Sequence, residues 1–268
     1  MDEETYFLRI AQYKLLAKHE VGQNFLLDTR AAKRIVTLLN EKEEDRVLEI
    51  GSGAGSLSFF LASGPAKADL IDIDEGLVAK LQSDFSENDF VKPMYGNATK
   101  WDYSSYTKII GNLPYYITSL IMEKVFLGGA SCQKAVFMIQ KEAAERILSD
   151  VGSKEYSPLN VLWRLLYNGK REFGVPRNSF CPAPHVDSTV ISFTRKEGTN
   201  LEEATKAFHL ANSLFLQRRK TVLNNLKSYC HDEVKAKSVL QKAKIDPMAR
   251  PEKLSPTQYL SLSRLLNE

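Results

Sequence analysis

Along the chain, short apolar runs alternate with stretches in which apolar residues recur every three or four positions. DRVLEIGSG (45–53) is an apolar run closed by glycines, and SLSFFLASG (56–64) after it has the spacing of a helix stopped at Gly64-Pro65. ADLIDIDEG (68–76) repeats the pattern, running into acids and then into EGLVAKLQSDF (75–85), which is spaced as a helix. FVKPMYGNA (90–98), TKIIGNLPYY (107–116) and KAVFMIQKE (134–142) supply further strands, with ITSLIMEKVFLGG (117–129) and KEAAERILSD (141–150) as helices between or after them. Strand and helix alternating in this order predict an α/β fold with a parallel sheet and crossover helices.

From residue 170 the pattern changes. KREFGVPRNSF (170–180) and VDSTVISFTRK (186–196) predict strands joined by the proline-rich CPAPH (181–185), an antiparallel pair at the sheet edge. KEGTN (196–200) then reads as a linker, and the remainder predicts four helices in EEATKAFHLANSLFLQ, QRRKTVLNNLKSY, EVKAKSVLQKA and SPTQYLSLSRLL. Ser255 followed by Pro256 is a helix start. The boundary falls near Glu197, separating a larger domain (1–197) from a small helical one (198–268).

Composition narrows the classes. With 268 residues, 43% hydrophobic and 26% charged, the chain can bury two cores and lacks the signature of disorder. No stretch approaches a membrane-spanning helix, and the acidic MDEETYFLRI lacks the basic region of an export signal, so a cytoplasmic protein is expected; a monomer is a separate expectation. Cys132, Cys181 and Cys230 are far apart and the four histidines have no ligand spacing, so neither disulfides nor a metal are expected. Residues 1–150 carry 17 Lys and Arg against 22 Asp and Glu, a balance of −5; residues 151–268 carry 19 against 11, a balance of +8. That basic half suits a polyanion such as RNA, or a set of solvated helix faces.

Two stretches carry chemistry. EIGSGAG (49–55) follows a strand and precedes a helix, where glycines let the backbone approach a ligand. A dinucleotide fingerprint would need glycine at position 56, where the chain has Ser56; the loop instead resembles motif I of S-adenosylmethionine-dependent methyltransferases. Asp72, at the next strand end, can accept from a ribose diol, while Asp74 caps the following helix. Asn97, after the third strand, can offer its carboxamide oxygen to an adenine amine, or can serve as a turn residue.

GNLPYYITS (111–119) is the second stretch. Proline ends the strand and leaves Asn112 and Tyr115 at its mouth. Asn-Leu-Pro-Tyr resembles the N/D-P-P-Y/F motif of enzymes that methylate exocyclic amines of nucleic-acid bases. Such an amine is a poor nucleophile, because its lone pair is delocalised into the ring. The Asn112 side-chain oxygen and the Leu113 carbonyl, aimed by Pro114, are acceptors that can favour a pyramidal nitrogen, and Tyr115 offers a face for an extruded base. Phe180, in its proline-rich loop, is the candidate second aromatic, although by itself such a residue is more often core packing than a base clamp.

Taken together, VGQNFLLD (21–28), VLEIGSGAG (47–55), LIDID (70–74), YGNA (95–98), IIGNLPYYITS (109–119), MIQKEAAERI (138–147), SFCPAPHVDS (179–188) and FLQRRKTVLNNL (215–226) resemble the KsgA-type small-subunit rRNA adenine dimethyltransferases, in the family's order and over nearly the whole chain. The resemblance implies a Rossmann-like methyltransferase domain and N6-dimethylation of two adjacent adenosines in the 3′-terminal hairpin of small-subunit rRNA, within an assembling subunit. It implies S-adenosyl-L-methionine held by Asn24, Leu26, Gly51, Asp72, Asn97 and Asn112. The target base would lie between Tyr115 and Phe180, and the helical tail would bind rRNA, with Arg218, Arg219 and Lys220 as phosphate contacts.

The chain departs from the family at Ser52, Asp72, Asn97 and His185, where proline, glutamate, aspartate and lysine are usual, and at Tyr116, where asparagine is common. The erythromycin-resistance methyltransferases of large-subunit rRNA share fold and most motifs, but QRRKTVLNNL and four tail helices favour the small-subunit branch. An assembly factor acting mainly by binding is a further alternative. A nicotinamide-dependent oxidoreductase is disfavoured by Ser56.

Overall fold

A computed structural model describes residues 2–12 and 23–267, so Val21 and Gly22 of the VGQNFLLD stretch lie outside the described residues. Helix α1 (Glu3–Gln12) and the two-residue strand β1 (Phe25–Leu26) precede α2 (Thr29–Thr37), which Asp28 caps by accepting from Ala31 N–H. Then β2 (Arg46–Ile50), α3 (Ser58–Leu61), β3 (Lys67–Asp72), α4 (Glu75–Asp84), β4 (Val91–Tyr95), β5 (Lys108–Asn112), α5 (Thr118–Gly128) and β6 (Lys134–Gln140) follow the alternation that the apolar pattern predicts. Asp74 caps α4 as expected, accepting from Gly76 and Leu77 N–H.

After α6 (Lys141–Ile147) and α7 (Pro158–Leu166), β7 (Tyr167–Val175), β8 (Phe180–Cys181) and β9 (Ser188–Arg195) complete the strands. The seven-stranded sheet has the order β4-β3-β2-β5-β6-β9-β7, and β1 pairs with β8 in a separate two-stranded ribbon. β2 through β6 are mutually parallel, and β9 runs antiparallel to β6. Strand order reverses between β2 and β5, so a crevice opens beyond their carboxyl ends, where open α/β sheets bind ligands. The core beneath it joins Val47, Leu70, Ile110, Val136 and Met138 of the sheet to Ile35 of α2 and Leu77 of α4.

The chain forms two compact units, Met1–Ala144 with Lys170–Thr194, and Glu145–Gly169 with Arg195–Glu268. The second holds α8 (Leu201–Phe215), α9 (Val222–Cys230), α10 (Glu233–Lys242) and α11 (Pro256–Asn267), the four helices expected for the tail. It differs from the expected cut at 197 and 198 by also taking α7: Val161 shares an apolar core with Ala207, Leu210 and Leu214 of α8. The chain enters this unit, returns to the sheet and enters again; the KEGTN linker marks only the last crossing. Among the described residues no helix is long and apolar enough to cross a membrane.

Candidate active site

Four strand ends lie side by side in the order β4, β3, β2, β5, and the loops leaving them line a cleft of about 120 Å³. Glu49, Gly51, Asp72, Asn97, Asn112 and Tyr115 all line it. The loop after β2 turns through Gly51, Gly53 and Gly55 at φ of +70°, +55° and +92°, a region costly for side chains other than glycine's. Gly55 has a second constraint: a Cβ there would stand 2.2 Å from the Tyr6 hydroxyl of α1. That hydroxyl donates toward the Ala54 and Gly55 carbonyls, at 3.5 and 3.4 Å. Ser56, the residue that breaks a dinucleotide fingerprint, ties the loop to β1 by donating to the Leu26 carbonyl at 2.7 Å.

Asp72 is buried, and burial raises its carboxyl above the usual range against the opposing pull of the Asp74 and Gly53 N–H groups. Its Oδ2 accepts from Gly53 N–H at 2.8 Å and its Oδ1 from Asp74 N–H at 2.9 Å. Each oxygen keeps a second lone pair, so a ribose diol can still be accepted. Glu49 is more deeply buried, at 2% exposure, and receives the Ser58 hydroxyl at 2.6 Å. Burial pushes this carboxyl up to about 8, with the Ser58 hydrogen bond opposing and the Asp72 charge adding to the rise.

The expected pairing of the Asn97 oxygen with an adenine amine is corrected. Asn97 Oδ1 already accepts from Thr99 N–H at 2.9 Å and from the Thr99 hydroxyl at 2.8 Å, the turn role that was its alternative. A backbone N–H can only donate, so the atom facing it is the oxygen, and both its lone pairs are used.

At the end of β5, the Leu113 N–H donates to the Met138 carbonyl of β6 at 3.0 Å, and the Thr118 hydroxyl at the start of α5 donates to the Pro114 carbonyl at 2.9 Å. These bonds fix the turn. The Asn112 amide Nδ2 donates to the Asn24 carbonyl at 3.1 Å, which leaves its Oδ1 as the free end. Among the described residues no donor takes that oxygen or the Leu113 carbonyl. Tyr115 is half-buried, with its hydroxyl 3.4 Å from Ser188 Oγ; burial raises this phenol, with the Ser188 hydrogen bond opposing. Tyr116 stands 64% exposed at the cleft's lining.

Phe180 does not join this group. It is 4% exposed, pairs with Leu26 across β1 and β8, belongs to the apolar core and is absent from the cleft lining. The two-sided clamp expected of Tyr115 and Phe180 is therefore not formed here, because strand pairing turns Phe180 into the core. Asn24 and Leu26 do line the cleft, and both offer backbone carbonyls to other residues.

The basic triplet also divides. Expected within a helix, Arg218, Arg219 and Lys220 occupy the turn between α8 and α9. Arg218 donates to the Ser153 and Lys154 carbonyls at 3.0 and 2.7 Å and pairs with Glu252 at 3.4 Å, so it staples its own unit, whereas Arg219 and Lys220 are exposed. Pattern reading passed over Tyr6, Glu49 and Ser188. Only Glu49 carried a signal, as a polar residue inside an apolar strand run.

Comparison with known proteins decides the family. The family model described as ribosomal RNA adenine dimethylase matches residues 15–268. The chain belongs to that family. A ribosomal RNA small subunit methyltransferase A of Malacoplasma penetrans is 36% identical over 266 residues, 97% of this chain and 96% of that protein. Among solved structures, a dimethyladenosine transferase from Plasmodium falciparum superposes with a TM-score of 0.77 at 27% identity, covering 89% of this chain and 95% of that one. The 23S rRNA methyltransferase ErmE, with a TM-score of 0.70 at 23% identity over 91% of this chain and 100% of its own, shares the fold. As a ribosomal RNA adenine dimethylase the chain is an S-adenosyl-L-methionine-dependent methyltransferase with the Rossmann-like sheet expected from its motifs. The cleft fits that cofactor: spare lone pairs on buried Asp72 suit a diol, and the positive-φ glycines of the loop add no side chains of their own to the lining.

Proposed function

We propose that the enzyme N6,N6-dimethylates two adjacent adenosines in the 3′-terminal hairpin of small-subunit rRNA, acting as a monomer on an assembling subunit. One observation carries this reading: the Asn112 carboxamide is anchored through its nitrogen to the Asn24 carbonyl, so its oxygen stands free beside the free Leu113 carbonyl at the cleft. Two acceptors at one strand end match the two N–H groups of an adenine amine. When bound, S-adenosyl-L-methionine supplies a methyl group carried on a positive sulfur.

The chain's part is positioning. Asn112 Oδ1 and the Leu113 carbonyl draw the amine hydrogens, favour a pyramidal nitrogen and stabilise the positive charge that develops on it. Neither oxygen needs to act as a strong base, since the proton leaves a nitrogen made acidic by alkylation. Tyr115 offers its ring to the extruded base, with Ser188 near its hydroxyl. Holding this geometry before the base arrives is where the rate gain lies. Asn24, Leu26, Gly51, Asp72 and Asn97 face the cofactor, and Arg219 and Lys220 contact phosphates. Relatives named for the small ribosomal subunit support that substrate over the large-subunit alternative.

Incubating the protein with labelled S-adenosyl-L-methionine and undermethylated small subunits, then digesting the RNA for nucleoside mass spectrometry, tests the proposal. Dimethyladenosine at two neighbouring primer-extension stops is the expected result. Its absence, or its appearance only in large-subunit rRNA, overturns the reading.

A further inference from the structure

Strand order sets the order of groups along the cleft. Asn112 ends β5, Gly51 follows β2, Asp72 ends β3 and Asn97 follows β4, and these strands are neighbours in that sequence. From β5 to β4 is three strand spacings of about 4.8 Å, roughly 14 Å. A nucleoside whose reactive end faced Asn112 and whose ribose diol faced Asp72 would continue outward, which would bring its base to the end of β4, where Ile73 and Asn97 line the cleft.

The turn holding Asn97 is built to keep one orientation. Gly96 N–H donates to the Asp72 carbonyl at 2.9 Å, and Lys100 N–H donates to the Asn97 carbonyl at 2.9 Å. The Trp101 ring lies so close that a Cβ on Gly96 would stand 2.6 Å from it, and the Tyr103 hydroxyl donates to the Ala98 carbonyl at 2.6 Å. Within this frame Asn97 Oδ1 is taken twice by Thr99. A rotated carboxamide would set its NH2 against the Thr99 N–H, donor against donor, so rotation is opposed. Among the described residues nothing takes the Asn97 amide nitrogen.

We infer that Asn97 meets the cofactor's base as a hydrogen-bond donor, through its amide N–H, and so recognises the purine by an acceptor atom without selecting for the 6-amino group. This rests on the placement of the base at the β4 end. An aspartate at 97 would keep the Thr99 turn, since one oxygen suffices for it, and would present its second oxygen in place of the nitrogen. The polarity of the site would then invert: the 6-amine would become a partner.

Calorimetric titration of wild type, Asn97→Asp and Asn97→Ala with S-adenosylhomocysteine, and with its purine counterpart lacking the 6-amino group, separates the possibilities. The wild type is expected to bind the two ligands within about threefold of each other, since no hydrogen bond is lost, whereas Asn97→Asp is expected to prefer the amino ligand by about tenfold, the worth of one hydrogen bond. Asn97→Ala is expected to weaken both ligands equally. A wild type that loses tenfold or more on removal of the amine overturns the donor assignment while leaving the base beside Asn97. Three proteins with the same affinities for both ligands would overturn the placement, and the inference with it.

Discussion

Around the glycine loop three side-chain acceptors are already engaged, Asp72 by Gly53 and Asp74, Asn97 by Thr99 and Glu49 by Ser58, while the buried Ser52 hydroxyl is not. At the end of β5 the side-chain donor is engaged and the acceptors are left open, with Asn112 held through its nitrogen and the Leu113 carbonyl free. In the first region these bonds fix the carboxylates and the Asn97 amide in place, so the cofactor's seat exists before the cofactor arrives. The second leaves two acceptors at the cleft without partners among the described residues, and an acceptor left unmatched when a base displaces water from it is costly. That cost is recovered when an amine supplies the missing N–H groups, and it is recovered most fully when the amine becomes positive. One half of the cleft is thus organised to hold, the other to react.

The largest effect expected from this contrast is at Asn112. Asn112→Ala removes an open acceptor and should lower kcat by about 10²–10³, the usual cost of losing one such group at developing charge. Affinity for rRNA should remain near that of the wild type by filter binding; an unchanged kcat would place the reactive acceptors elsewhere. On the engaged side the cost should appear as stability instead. Gly55→Ala combines a positive φ with a Cβ 2.2 Å from the Tyr6 hydroxyl, and should cost about 2–3 kcal/mol by thermal melting. A neutral Gly55→Ala would show that α1 yields easily and does not brace the loop.

Much of this was legible in the sequence for a physical reason. An apolar run that stops at glycine, acid or proline marks a parallel strand and the loop leaving its carboxyl end, so β2, β3, β5 and the residues at their ends could be read together. Asp74 and Pro256 were legible because capping is chemistry within one turn. What escaped depends on contacts distant in sequence. Tyr6 supports Gly55 across 49 residues, and nothing near either residue announces the other. Phe180 stands before the proline-rich CPAPH, where the sequence allows either a clamp or core packing, and its pairing with the distant Leu26 goes with the core. Asn97 and Thr99 had a local signal, asparagine two residues before a hydroxyl and an N–H, which fixes the amide's direction once it is read as a turn.

A smaller effect concerns Glu49, whose burial raises its carboxyl from 4.5 to about 8. Between those values the unfolded chain releases a proton that the folded chain retains, so folding stability should fall as pH rises from about 4.5 to about 8 and then level off. Glu49→Gln keeps the shape and removes the titration. Melting temperatures against pH should therefore flatten relative to wild type over that window; parallel curves would mean that Glu49 titrates as it does in the unfolded chain.

The same division between engaged and open groups separates Arg218 from its neighbours, with the smallest expected effects. Arg218 spends its guanidinium on the Ser153 and Lys154 carbonyls and on Glu252. Arg218→Ala should thus cost about 1 kcal/mol of stability, typical of hydrogen bonds at a partly exposed site. Arg219 and Lys220 are exposed, so Arg219→Ala and Lys220→Ala should leave the melting temperature unchanged. If each neutralises one phosphate, each substitution should reduce the slope of log affinity against log salt by about 0.7–0.9. Measuring rRNA affinity at several salt concentrations for the three variants tests the assignment one residue at a time. A slope change in Arg218→Ala, with none in the other two, would reverse it, because a guanidinium that staples its own unit has few donors left for RNA.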